Sequence, residues 1–228
     1  MTGKDALPTS HEDDPHPMPE IAGDHADEAL EHAKDALRTT LVRRRRQQDA
    51  RRLATSACGI ARQTTDLVAS LGLQAGDAVA AYVSRKDEPG THPTLDVLHD
   101  AGLEILLPVL GAALDRRWGH YTGMADLAQR APNRPLEPVE SDGGPELLAR
   151  ARLILVPALA VDDEGYRLGL GGGWYDRTLL HAAPDAAVFA VVYDEEAHHA
   201  PLPRAAHDVP VGGVLTPTNW WTQGRRAA

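Results

Sequence analysis

The stretch Arg167-Leu168-Gly169-Leu170-Gly171-Gly172-Gly173-Trp174-Tyr175-Asp176 constrains this chain more than any other. Four glycines in five positions remove the Cβ atoms that would hold a ligand away from the backbone. A buried-strand pattern at 153–156, closed by Pro157, comes before it, and a helical pattern over 174–182 follows directly. Free N–H groups at a helix start favour phosphate oxygens. Arg167 adds a planar, permanent charge, and Asp176 adds a carboxylate able to hold a metal that bridges phosphates. The bland alternative is a flexible turn, but a turn needs neither the arginine before the glycines nor the Tyr-Asp after them.

Two known phosphate loops do not fit. A P-loop requires Lys-Ser or Lys-Thr after its last glycine, and neither is present. A dinucleotide fingerprint begins well at Gly169-Leu170-Gly171 but then meets Trp174 where glycine is needed. Asp194 nevertheless closes the next apolar run, where a dinucleotide fold keeps its ribose-binding acid, so a nicotinamide site stays open on local grounds.

The rest of the chain supplies a matching frame. Leu30, Ala33, Leu37 and Leu41 recur at helical steps, so order is expected from about residue 30. A second helix reads over 49–71, with Leu53, Ala57, Ile60, Thr64, Leu67 and Leu71 on one face and Gly72 and Gly76 at its end. Short apolar strands are expected at 78–84, 104–109, 153–156 and 187–193, a weaker one at 116–121, and a last extended piece at 209–215. Residues 94–100 read as a helix stopped by Gly102, and 131–138, with three prolines, as a loop. Strands alternating with helices predict an α/β fold whose mostly parallel sheet is covered on both faces. Ligands in such folds sit at the carboxyl ends of the strands.

Charge is unevenly placed. The chain carries −10 overall, but residues 1–32 hold nine acids against Lys4. Residues 1–29 are therefore read as an acidic, disordered extension and 30–228 as a single domain. No apolar run reaches the ~20 residues that span a bilayer, and the acidic N-terminus lacks the apolar core of a secretory signal. A single cysteine, Cys58, excludes an internal disulfide, which fits a cytoplasmic protein; it is read as helix packing. Arg43–Arg46, Arg51 and Arg52 are read as mostly solvent-exposed, which makes nucleic acid an unlikely partner. His198 and His199 are adjacent and badly placed to share a metal.

At this point a resemblance becomes specific. Leu155-Val156-Pro157-Ala158-Leu159-Ala160-Val161-Asp162, then Gly165, then the glycine stretch through Asp176, resembles the signature of the 5-formyltetrahydrofolate cyclo-ligase family. Lys34 and Arg38 in Lys-Asp-Ala-Leu-Arg resemble its opening helix. Tyr82-Val83-Ser84 with Glu88-Pro89-Gly90-Thr91 resembles its first strand and substrate loop, and His207-Asp208-Val209-Pro210-Val211 its C-terminal motif. The resemblance runs over residues 33–216. Trp174 stands where the family has Tyr, Val161 where it has Phe, and Gly212 where an acid is common.

The resemblance implies a three-layer α/β/α sandwich with a mostly parallel, Rossmann-like sheet. It implies ATP held by Lys34, Arg38, Arg167, Leu168, Gly169, Leu170, Gly171, Gly172, Gly173, Trp174 and Tyr175. It implies folate contacts from Val83, Glu88, Gly171, Gly172, Gly173, Trp174 and Tyr175, and Mg²⁺ at Asp176 and Asp208. The implied reaction is ATP-dependent ring closure on 5-formyltetrahydrofolate by a monomer, with no covalent nucleophile from the protein. The residue chemistry suits these roles. Lys34 and Arg38 stand at i and i+4 on one helix face, and a Glu88 carboxylate can accept two hydrogen bonds from an amino-pyrimidine edge. Outside their motifs the basic pair would read as a solvated face, and each aspartate as a cap or surface residue. A relative with another substrate and a non-catalytic folate binder are the competing readings.

Overall fold

A computed structural model of the chain describes residues 22–110, 115–132, 134–198, 200–205 and 208–223, with side chains from residue 27 onward. Two long helices come first, α1 (Ala22–Arg45) and α2 (Ala50–Ser70). Then follow β1 (Ala78–Ala80), α3 (His92–Asp100), β2 (Glu104–Leu110), β3 (Arg116–His120), β4 (Leu127–Ala128) and β5 (Glu137–Pro138). The second half holds β6 (Ala151–Pro157), β7 (Ala160–Val161), β8 (Arg167–Leu168), α4 (Trp174–Thr178), β9 (Ala187–Val191), β10 (Gly213–Leu215) and β11 (Trp220–Thr222).

Seven strands form one sheet in the order β11-β10-β9-β6-β1-β2-β3. Its centre, β10 through β2, is parallel, and both edges are antiparallel: β2 with β3 and β10 with β11. The alternation of strand side chains builds two cores. Val79, Ile105, Leu153, Leu155, Phe189 and Val191 point to Ile60 and Leu67 of α2 and to Leu95 and Leu98 of α3. Ala80, Leu106, Ile154, Val156 and Ala190 point the other way, to Trp118, Leu148, Trp174, Tyr175 and Leu179. This is the expected mixed α/β architecture, a mostly parallel central sheet flanked by helices.

The helix ends follow from local chemistry. Asp49 caps α2, its carboxylate accepting from the N–H of Arg52. Gly72, Gly76 and Gly102 take positive φ where α2 and α3 stop, which a side chain would resist. Gly59 of α2 lies so close to the Pro217 carbonyl oxygen that a Cβ would collide with it, which sets how near the helix comes to the chain beyond β10.

Several boundaries differ from the expectation. α1 begins at Ala22, eight residues before residue 30, because propensity carries the helix through Asp24–Ala29 without an apolar face to announce it. The rest of the acidic extension, residues 1–21, lies outside the described residues, as do His199 and His207. On α1 the apolar stripe is buried in part: Leu41 is buried and Leu37 packs with it against Leu159, Leu168 and Leu202, Ala33 is exposed, and the charged Lys34 and Arg45 are buried as well. Cys58 is exposed on the outer side of α2 rather than packed. The loop at 131–138 ends in β5, which pairs with β4. The helix expected over 174–182 is one α-helical turn followed by a 3-10 turn, Leu179–His181.

Candidate active site

The chain leaves β1 to build β2 and β3 on one side, then returns to build β6, β9 and β10 on the other. A crevice opens at the carboxyl ends of strands at such a reversal. Here it holds a cavity of about 420 Å³.

The first wall is the segment after β1. The Thr91 hydroxyl donates to the Tyr82 carbonyl oxygen at 2.6 Å and accepts from the Ser84 N–H at 2.9 Å. The Thr91 N–H donates back to the Ser84 hydroxyl at 3.0 Å. This stitch closes the 82–91 loop and turns Glu88 inward, where its carboxylate accepts from the Arg85 N–H at 2.8 Å. Burial raises the Glu88 carboxyl above its ordinary value of 4.5; the Arg85 N–H and the Arg45 charge offset this only in part. The Tyr82 and Tyr175 hydroxyls are raised by burial and by the Glu88 charge.

The opposite wall is a hairpin and its loop. Asp162 makes the β7–β8 turn: its Oδ1 accepts from Glu164 and Tyr166 N–H groups at 3.0 and 2.9 Å, and its Oδ2 from Leu202 N–H at 3.2 Å. Gly165 completes the turn at φ +86°, with a Cβ excluded by the Val211 carbonyl. The hairpin delivers Arg167, which donates to Asp176 at 2.6 Å and to the Val209 carbonyl at 2.6 Å. Between Arg167 and α4 the loop runs through Gly171 (φ +99°) and Gly173 (φ +56°), while Gly169 and Gly172 have open space where a Cβ would stand. α4 is too short to contribute much of a dipole, so attraction for anions rests on side-chain cations and loop N–H groups.

α1 crosses this end of the sheet. Lys34 donates to Asp208 at 2.8 Å, and Arg38 to the Gly169 carbonyl at 3.0 Å and to Asp35 at 2.6 Å. Three turns on, Arg45 is 3% exposed, contrary to the expectation of a solvated arginine. It forks onto Glu196 with two contacts of 2.7 Å, donates to the Ala158 carbonyl at 2.6 Å and lies 5.4 Å from the Tyr193 ring. Burial works against its charge, but the Glu196 carboxylate keeps Arg45 protonated. Stranding either member of such a buried pair costs about 3–5 kcal/mol. The pair therefore pins α1, and with it Lys34 and Arg38, to β6 and the turn after β9. No local pattern singles Arg45 out of its run of arginines; only its spacing from Lys34 and Arg38, eleven and seven residues, hints at a shared face.

Every residue proposed from the sequence lines this one cavity: Lys34, Arg38, Val83, Glu88, the whole stretch Arg167 to Asp176, and Asp208. Trp174 packs edge-on against Trp118 of β3 and against Tyr175, with centroids 5.3 and 4.9 Å apart. Among the described residues no group of three His, Cys, Asp or Glu is placed to hold a metal ion. Asp176 and Asp208 fit Mg²⁺, which needs only one or two carboxylates when phosphate oxygens and water complete its shell.

A Rossmann-like sheet with a cationic, glycine-walled cavity at its switch point defines an α/β protein with a site suited to an anionic ligand. The comparisons narrow that class. The family model for the 5-formyltetrahydrofolate cyclo-ligase family matches residues 30–217, and the chain belongs to this family. A 5-formyltetrahydrofolate cyclo-ligase of Mycolicibacterium smegmatis is 44% identical over 151 residues, covering 62% of this chain and 74% of that one. The enzyme of that name from Escherichia coli K12 is 31% identical over 148 residues, covering 63% and 79%. The solved structure of Aquifex aeolicus 5,10-methenyltetrahydrofolate synthetase superposes with a TM-score of 0.68 at 24% identity, covering 86% of this chain and 95% of that one. As a member of the family the protein is a ligase of folate one-carbon chemistry.

Proposed function

We propose that the protein converts 5-formyltetrahydrofolate to 5,10-methenyltetrahydrofolate, with ATP cleaved to ADP and phosphate and Mg²⁺ required. The observation that carries this is the convergence on one cavity of three phosphate-type cations, a side-chain-free loop, two carboxylates and a buried pterin-type acid.

A formyl group on nitrogen is an amide, a poor electrophile with a poor leaving oxygen. Phosphorylation answers both problems. The formyl oxygen attacks the γ-phosphorus and ADP leaves; the neighbouring folate N–H nitrogen then attacks the formyl carbon, its proton passes to the departing phosphate or to water, and phosphate leaves with the former formyl oxygen. The protein's contribution is positioning and charge neutralisation. Lys34, Arg38 and Arg167 offset phosphate charge, and the glycines let carbonyl and phosphate meet without side chains between them. Asp176 and Asp208 would hold Mg²⁺, which would supply further positive charge beside the phosphates. Glu88 accepts from the pterin amino edge, while Trp174 and Tyr175 border the ring. Glu88 must be ionised for this, so folate affinity falls as pH drops through its raised pKa. A cytoplasmic monomer, in the compartment that supplies ATP, goes with this reading.

The test is spectrophotometric detection of methenyl product, with ATP and Mg²⁺ omitted in turn. Product only in the complete mixture is expected. Tight folate binding without ADP release would replace the proposal with a storage role; among the described residues no helix is long and apolar enough to cross a membrane.

A further inference from the structure

Cations line the cavity on several sides, and nearly all are engaged. Lys34 pairs with Asp208, Arg38 with Asp35, Arg45 with Glu196 and Arg167 with Asp176. Arg177 donates to the Gly172 carbonyl, and Arg85 is engaged as well. Arg116 is the exception: among the described residues it makes no hydrogen bond or ion pair, and its Nε is buried without a partner. A guanidinium with a desolvated, unpaired N–H is costly unless an anion completes it.

Its place in the fold says which anion. Arg116 begins β3, two strands away from β1, a lateral step of roughly 10 Å. It shares a strand face with Trp118, whose ring meets Trp174 at the cavity. Pro108 and Leu110 of β2, with Pro135 and Leu136, make an apolar wall of the same cavity beside it. Glu137 is the acid on that wall: the Leu110 N–H donates to its Oε2 at 2.7 Å, and its buried Oε1 lies 2.9 Å from Arg130 Nε as an ion pair without hydrogen-bond geometry. The phosphate-type cations Lys34, Arg38 and Arg167 stand on α1 and on the hairpin after β6, while the far end of the glycine loop reaches back across the sheet, where Trp174 packs on Trp118 of β3. Along the strand order β1-β2-β3 the cavity therefore offers the Glu88 pocket after β1, then an apolar slab on β2, then an arginine on β3 with no side-chain partner among the described residues.

We propose that the β2–β3 wall is a subsite for the acyl-amino-acid tail of the substrate: Pro108, Leu110, Pro135 and Leu136 flank its flat aromatic ring, and Arg116 binds a glutamyl carboxylate. The order of chemistry along a reduced folate, with its ring system, benzoyl group and carboxylate, matches the order of surfaces from Glu88 to Arg116. Arg116 then determines specificity for the tail and has no part in phosphoryl transfer. This deepens the proposed function and rests on it for the identity of the ligand.

The experiment compares 5-formyltetrahydrofolate with 5-formyltetrahydropteroate, which lacks the glutamyl group, on wild type, Arg116→Gln and Arg116→Lys. Calorimetric binding without nucleotide and turnover are both read. The wild type is expected to bind the pteroate about tenfold more weakly. Arg116→Gln loses that factor on the full substrate, is unchanged on the pteroate and keeps its KM for ATP; Arg116→Lys lies between. No preference in the wild type, or an equal loss on both ligands in Arg116→Gln, overturns the subsite. Wild type that discriminates the two ligands but makes no methenyl product keeps the subsite and overturns the reaction.

Discussion

At the residue scale, the glycines fall into two kinds that a sequence cannot separate. A Cβ on Gly213 would run into the Phe189 ring, whereas one on Gly172 would meet nothing within 4 Å. Gly213→Ala is therefore a packing lesion, expected to cost about 1–3 kcal/mol in denaturant unfolding while leaving the KM of the surviving enzyme alone. Gly172→Ala should unfold at the wild-type denaturant concentration yet raise the KM for ATP about tenfold, because the room it fills is room the ligand needs. Loss of stability without a change in KM would move Gly172 out of the site. The motif residues were legible because their chemistry is local: a glycine run, an arginine and an aspartate at fixed spacing. Arg45 and Arg116 were not, since each looks like any surface arginine until Glu196, 151 residues away, or the cavity wall is placed beside it.

At the scale of elements, the parallel strands were visible as short apolar runs, and α2 as a clean apolar stripe. The antiparallel edges were harder. β3 reads Arg-Arg-Trp-Gly-His, with only Trp118 and Gly119 buried, and its hold on β2 is partly electrostatic. His120 lies 2.5 Å from Glu104 and 2.8 Å from Asp142, and Arg150 lies 2.6 Å from Glu104. Burial opposes the charge, but the bonds to Glu104 and Asp142 prevail and raise the imidazole above its ordinary 6.5. A raised folded value means that this stabilisation is complete below 6.5 and is lost as pH rises through the folded pKa. Denaturant midpoints should therefore fall with rising pH across that window, and His120→Gln should flatten the fall. An unchanged slope in His120→Gln would take the hairpin clamp out of the account. β11 was missed altogether, because two tryptophans after a proline-rich segment give no alternation to read.

At the scale of the whole molecule, β1 and β6 pair to make the two sheet halves one sheet, and α1 lies across their strand ends, so what fills the cavity touches all three. Binding to the native state alone raises its stability by an amount set by ligand concentration over Kd, roughly 2.7 kcal/mol at a hundredfold excess. Mg-ATP should raise the melting temperature of the wild type, and Lys34→Met, which removes the cation that ties α1 to Asp208, should blunt that rise. An equal rise in both would place the nucleotide elsewhere. The pairing of Lys34 with Asp208 and of Arg167 with Asp176 has one more result. The chamber carries its own counter-ions: each carboxylate is paired with a cation that the proposed guest would also claim. On the proposed reading, a triphosphate entering bare would draw both cations away and leave two acids without partners, whereas one that travels with a divalent ion would bring each acid a replacement, so stoichiometry of charge would screen guests ahead of shape.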